Sequence, residues 1–125
     1  MVVQPNAQMR RLCLLLTVSL TVALLFLGSR PGAGNFIPPV PWDKLAHLVV
    51  YGGFGALAWI VFASKSLIWP VFMVAIIGFM DETMQYFTPG RSADVLDLVA
   101  DISGAVLAVL LLRLFQRLFF RATRA

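Results

Sequence analysis

The sequence has few of the residues that crosslink a chain or charge a soluble surface. Cys13 is its only cysteine, so no disulfide can form within the chain and no cysteine-based metal centre can be assembled. Charged residues make up 13% of the chain, against about a quarter in soluble domains. These scarcities exclude a disulfide-stapled domain and argue against an ordinary soluble globular protein.

Most of the chain is apolar instead. Hydrophobic residues account for 60% of its 125 residues, and the mean hydropathy is +0.88, which is typical of an integral membrane protein. A spanning helix needs about 20 mainly apolar residues, so the length accommodates about four helices and no second domain. We therefore predict an all-α fold, a single four-transmembrane-helix bundle covering residues 1–125.

The formal charge of +4 raises the question of nucleic-acid binding. The basic residues stand beside apolar segments and do not form a soluble basic face, which argues against nucleic acid. Anionic lipid headgroups account for them better. Membrane lipids are therefore the predicted partners.

Apolar runs separated by helix-breaking residues predict four spans, at about 12–28, 44–63, 67–87 and 95–120. The alternative for the first is a cleaved signal peptide, but the run is longer than a usual signal core and no clear cleavage site follows. Asp43 is predicted to cap the second helix, and Asp94 the fourth. A tight turn is predicted at Ser64-Lys65-Ser66, between the second and third helices.

Lysine and arginine are unevenly shared between the two ends of these helices. One end carries Arg10, Arg11, Lys65, Arg113, Arg117, Arg121 and Arg124, and the other carries Arg30, Lys44 and Arg91. Positive residues in short loops stay cytoplasmic. We therefore predict a multi-pass protein of the cytoplasmic membrane with both termini in the cytoplasm and the loops at 29–42 and 88–93 outside.

The acidic residues are confined to one region. All six lie between positions 43 and 101, at the ends of apolar segments or inside them, where carboxylates are costly and by default indicate a functional site. A helix rises 1.5 Å per residue, which places His47, Asp81 and Asp101 within about 6–10 Å of the outer ends of three different helices. The sequence thus predicts a polar pocket near the outer face.

Helical spacing supports a common inward face for these side chains. Asp43, His47 and Tyr51 recur every four residues, and small residues form a seam at Gly52 and Ala56, where backbones can approach closely. The predicted pocket comprises Asp43, Lys44, His47, Tyr51, Asp81, Glu82, Gln85, Arg91, Asp94, Asp97 and Asp101. Within it, Lys44 and Arg91 either pair with the acids, the simpler interpretation, or contact a phosphate.

Three ordered motifs resemble those of the VanZ-like family of small bacterial membrane proteins. They are Asp43-Lys44-x-x-His47-x-x-x-Tyr51, then Asp81-Glu82-x-x-Gln85-x-Phe87-x-Pro89-Gly90-Arg91-Ser92, then Asp94-x-x-Asp97-x-x-x-Asp101-x-x-Gly104. In that family the position of Asp101 is often Asn. The resemblance implies a four-helix membrane protein, and the family takes its name from a protein linked to teicoplanin resistance.

Three functions remain open from the sequence. The first is recognition of a lipid-linked or glycan-linked headgroup, such as a cell-wall precursor, in the outward-facing pocket. The second is an intramembrane hydrolase using carboxylate and histidine, with or without a metal, although no serine or cysteine nucleophile is recognisably placed. The third is a small transporter or a structural subunit, for which four helices would require assembly into oligomers.

The excess of acids bears on what the pocket would hold. A bare phosphate would be repelled unless carboxylates are protonated or a divalent cation intervenes. A cationic group, a metal ion or a hydroxylated sugar fits better. A divalent cation held by His47 with Asp81, Asp97 or Asp101 is compatible with these residue types, but no standard metal-binding spacing supports it.

Overall fold

A computed structural model describes residues 5–37, 39–63 and 66–121. Their regular structure is entirely helical. The long helices are α1 (Ala7–Gly28), α2 (Trp42–Val61), α3 (Ile68–Tyr86) and α4 (Val95–Arg121), and a short 3₁₀ helix (Ala33–Phe36) lies between α1 and α2. The predicted all-α class is confirmed.

Helix α1 begins five residues before its predicted start at 12. Asn6 caps it, because its side-chain oxygen accepts a hydrogen bond from the backbone N–H of Met9 at 2.7 Å, and asparagine is a favoured N-cap residue. The first five residues of the helix include Gln8, Arg10 and Arg11 and so fall outside the apolar run. An apolar run therefore underestimates the length of this helix.

The predicted cap of α2 is wrong. The helix begins at Trp42 after Pro41, and Asp43 lies within its first turn without a capping hydrogen bond. The carboxylate of Asp43 instead lies 3.2 Å from the ammonium of Lys44. At the other end, the carbonyl of Val61 accepts a hydrogen bond from Arg10 Nε at 2.8 Å. The predicted turn falls partly on Ser64 and Lys65, which lie outside the described residues.

Hydropathy distinguishes α3 from the other three helices. Helices α1, α2 and α4, the last as far as Phe119, are long and apolar enough to cross a membrane. Helix α3 begins and ends within one residue of its predicted bounds, but its last turns carry Asp81, Glu82 and Gln85. These polar residues lower its apolar content, so a fourth span stays a prediction.

Helices α2 and α4 form the centre of the bundle. Gly52 faces the backbone of Gly104, and Gly55 faces that of Ala105, so the two helices approach closely without intervening side chains. The seam therefore runs through Gly52 and Gly55, and the predicted Ala56 is only half-buried. Helix α3 packs against both helices, and α1 lies against α2 and α3.

Candidate functional site

The polar side chains meet where α2 begins, α3 ends and α4 begins. Three carboxylates surround Lys44, on α2. Its ammonium lies 2.5 Å from Asp94 Oδ2, 2.5 Å from Asp97 Oδ1 and 3.2 Å from Asp43. The internal pairing predicted for Lys44 is therefore present, and it joins the start of α2 to that of α4.

Asp94 also performs its predicted capping role. Its Oδ1 accepts a hydrogen bond from the backbone N–H of Leu96 at 2.8 Å. The Lys44 ammonium and this N–H together hold the pKa of Asp94 below its usual range, because both stabilise the charged form. Asp94 is thus an anion at neutral pH.

His47 contacts α4 one turn deeper. Its Nδ1 lies 2.8 Å from Asp101 Oδ1, whereas its Nε2 is 3.8 Å from the nearest oxygen of Asp97. Asp101 is completely buried, and its Oδ2 faces Gly78 of α3, where an added Cβ would lie only 2.7 Å away. The glycine therefore provides the space that this carboxylate occupies.

Asp81, near the end of α3, accepts two hydrogen bonds through one oxygen. The Tyr51 hydroxyl donates to Asp81 Oδ2 at 2.9 Å and Gln85 Nε2 donates at 3.1 Å. The other oxygen, Oδ1, lies on the side of α1, since a Cβ added at Gly28 would be 3.5 Å from it. The carboxylate is thus fixed in orientation with one oxygen available.

Glu82 connects α3 to the residue that precedes α4. Its Oε2 accepts a hydrogen bond from the backbone N–H of Asp94 at 2.7 Å. Its Oε1 is buried and finds no hydrogen-bond partner among the described residues, and the same holds for Asp101 Oδ2 and Asp43 Oδ1. Burial of a carboxylate oxygen costs free energy unless a hydrogen-bond donor, a cation or a proton compensates it.

A cavity of about 570 Å³ opens between α1, the 3₁₀ helix, α2 and the end of α3. Asp43, His47, Tyr51, Asp81 and Gln85 supply its polar lining, and its apolar lining includes Leu24, Leu27, Phe36, Ile37 and Val50. Cavities of this volume suit small molecules or headgroups. The cavity lining does not include Lys44, Glu82, Asp94, Asp97 or Asp101.

Two arginines line the same cavity, and only one was predicted. Arg91 lies against the 3₁₀ helix, where a Cβ added to Gly34 would be 3.2 Å from its Cδ. The guanidinium of Arg30 lies 4.4 Å from the centre of the Phe26 ring. In the described part of the chain, neither forms an ion pair with an acid, so the pairing predicted for Arg91 is wrong.

The pocket predicted from the sequence does not include Arg30, and there is a physical reason for this. Arg30 stands in a loop rich in Pro and Gly, and only the folded structure, in which the 3₁₀ helix lies beside Arg91, shows that this loop lines the cavity. A cluster of arginines on both predicted outer loops is the one signal that could have indicated it.

Comparison with protein families identifies a relationship for nearly the whole chain. A family model described as VanZ/LLP1 matches residues 4–116. No curated protein and no solved structure matches the chain.

Proposed function

Because the chain belongs to the VanZ-like family, whose model covers nearly its whole length, we propose that it is a cell-envelope membrane protein that recognises a lipid-linked or glycan-linked headgroup. The observation that carries the proposal is the cavity, whose lining combines carboxylate and imidazole groups with two arginines that form no ion pair within the described residues. Headgroups of phosphorylated lipids and lipid-linked sugars offer both a phosphate and hydroxyl groups.

The charges of the cavity suit such an amphoteric ligand. Lys44 is surrounded by three acids, so among the described residues that line the cavity the cations able to meet a phosphate are Arg30 and Arg91. Arginine binds phosphate through charge-assisted, often bidentate hydrogen bonds. Carboxylates such as Asp81 would accept hydrogen bonds from sugar hydroxyls, and the exposed apolar residues Leu27 and Phe36 would contact acyl or prenyl chains.

Removal of both cavity arginines is expected to weaken binding of a phosphate-bearing lipid. Each charge-assisted hydrogen bond contributes about 1.5–3 kcal/mol, so Arg30→Gln with Arg91→Gln should lower affinity by at least about tenfold. Native mass spectrometry of the detergent-purified protein, titrated with a polyprenyl-diphosphate-linked sugar or with phosphatidylglycerol, measures the bound fraction. Stronger retention of the lipid-linked sugar would favour a cell-wall precursor as ligand.

The matched control removes two arginines at the opposite end of the bundle. Arg113→Gln with Arg117→Gln changes the net charge equally without touching the cavity, and it should bind the lipid as the wild type does. Equal losses in both double variants would contradict headgroup recognition by the cavity.

The proposal extends to glycopeptide tolerance. The cellular test compares the growth in teicoplanin of cells that express one or the other double variant.

The proposed topology places both termini in the cytoplasm and the cavity on the outer side of the cytoplasmic membrane. In a Cys13→Ala background, a cysteine introduced by Ser92→Cys, in the exposed segment between α3 and α4, should react with a membrane-impermeant maleimide on intact cells. Gln8→Cys, near the other end, should react only after the cells are permeabilised. The reverse pattern would invert the topology.

A further inference from the structure

Three side chains, two in the cavity lining and one beside them, converge in a way that headgroup recognition does not require. His47, Asp81 and Glu82 each bring one potential ligand atom to a common point, where these atoms all lie within 4.8 Å of one another. They come from two different helices, α2 and α3. His47 and Asp81 line the cavity directly.

Two of the three side chains are held in orientation by neighbours. Asp101 Oδ1 accepts a hydrogen bond from His47 Nδ1, and in a neutral imidazole with this tautomer the lone pair is on Nε2. Tyr51 and Gln85 both donate to Asp81 Oδ2, which leaves Oδ1 available. Carboxylates that orient histidine ligands, and hydrogen bonds that orient carboxylate ligands, are the usual surroundings of a protein-bound metal.

Glu82 supplies an independent observation. Glu82 as a whole residue is only 7% exposed, and its Oε1 has no hydrogen-bond partner among residues 5–37, 39–63 and 66–121. The nearby Lys44 is already occupied by Asp43, Asp94 and Asp97. A carboxylate buried in this way requires a compensating positive charge or a proton.

We propose that His47, Asp81 and Glu82 bind one divalent cation of the zinc type. One imidazole and two carboxylates form a mixed nitrogen and oxygen set that suits Zn²⁺ better than Mg²⁺ or Ca²⁺, which prefer oxygen alone. Three protein ligands would leave a coordination position open, and two of the three, His47 and Asp81, also line the cavity. The metal site shares His47 and Asp81 with the cavity lining but uses neither arginine, so zinc binding and lipid binding can be tested with different variants.

The experiment is a metal titration of the full chain in detergent. The protein is purified without a polyhistidine tag, stripped with a chelator, and titrated calorimetrically with Zn²⁺ and separately with Mg²⁺. We expect one Zn²⁺ per chain, with weaker binding of Mg²⁺. Glu82→Gln keeps an oxygen that can accept from the Asp94 N–H, but it removes a charged metal ligand. It should lower Zn²⁺ affinity by about 100-fold, which is as large as the greatest losses seen when a residue that only orients a ligand is removed.

The control for this variant is Asp43→Asn, which removes one carboxylate from the same region but none of the three proposed ligands. It should keep Zn²⁺ affinity within about threefold. Absence of stoichiometric Zn²⁺ in the wild type, or equal weakening in both variants, would overturn the site.

A spectroscopic measurement on the wild type alone guards against a variant that fails to fold. His47 is the only histidine of the chain, so X-ray absorption at the zinc edge should detect a single imidazole together with oxygen ligands and no sulfur. A zinc environment without imidazole would overturn the proposal whatever the variants do. A wild-type protein that binds Zn²⁺ but neither of the two lipids would refute only the proposed headgroup recognition.

Discussion

Gly104→Ala is expected to prevent α2 and α4 from packing. A Cβ at position 104 would overlap the carbonyl oxygen of Leu48, and it would lie 2.9 Å from the carbonyl carbon of Leu48 and 3.0 Å from the backbone nitrogen of Gly52. All three atoms belong to the backbone of α2, so no side-chain rotation can relieve the overlap. The two helices would have to separate, at a cost of about 3 kcal/mol or more.

The chain offers a matched control in Gly53→Ala. Position 53 is also within α2, but an added Cβ there meets nothing within 4 Å, and alanine favours a helix over glycine by about 1 kcal/mol. Free energies of unfolding from SDS titrations should therefore fall for Gly104→Ala and stay level or rise for Gly53→Ala. Two equally mild substitutions would show that α2 and α4 are not in backbone contact.

Lys44→Met is expected to produce the second large loss of stability. The substitution retains an unbranched apolar side chain but leaves Asp43, Asp94 and Asp97 without their shared cation. Removal of one partner of a buried ion pair costs about 3–5 kcal/mol. The Lys44 side chain is 22% exposed and that of Asp94 is 41% exposed, so solvent screening reduces the expected loss to about 2–3 kcal/mol.

A double variant separates lost charge compensation from lost packing. Asp97 is the more buried of the two acids closest to Lys44, so Lys44→Met combined with Asp97→Asn should recover part of the stability measured in the same SDS titration. Such coupling is expected of residues in direct contact. If the two losses simply add, Lys44 contributes through its methylene groups and not through its charge.

The helix bounds and the convergence of the polar side chains could largely be predicted from the sequence, because both depend on helix geometry. Depth along a helix is fixed by residue number, so the convergence of His47, Asp81 and Asp101 followed from the positions at which three helices begin or end. Helix phase likewise put Gln85 on the same face of its helix as Asp81, to which it donates a hydrogen bond, whereas the hydrogen bond from Tyr51 to Asp81 depends on how α2 and α3 pack. The bounds of α3 and α4 were predicted to within one residue.

What the sequence could not provide were the choices between competing partners. Both Lys44 and Arg91 had acids within reach, and only packing determines that Lys44 takes three of them while Arg91 lies against the 3₁₀ helix. Gly55 and Ala56 are adjacent small residues, and the rotation of α2 selects Gly55 for the seam. The sequence predicts Asp43 as a cap because a run of prolines ends just before Trp42, and the sequence alone does not show that the helix already begins at Trp42.

The space that Gly78 leaves for the Asp101 carboxylate has a consequence for how this chain can vary. An alanine at position 78 would meet Oδ2 at 2.7 Å, so it becomes tolerable only if the residue at 101 shortens or shifts. Asparagine at 101 has nearly the size of aspartate and does not relax this requirement. Evolutionary drift at these two positions is therefore coupled, and among divergent homologues a larger residue at one should accompany a smaller residue at the other.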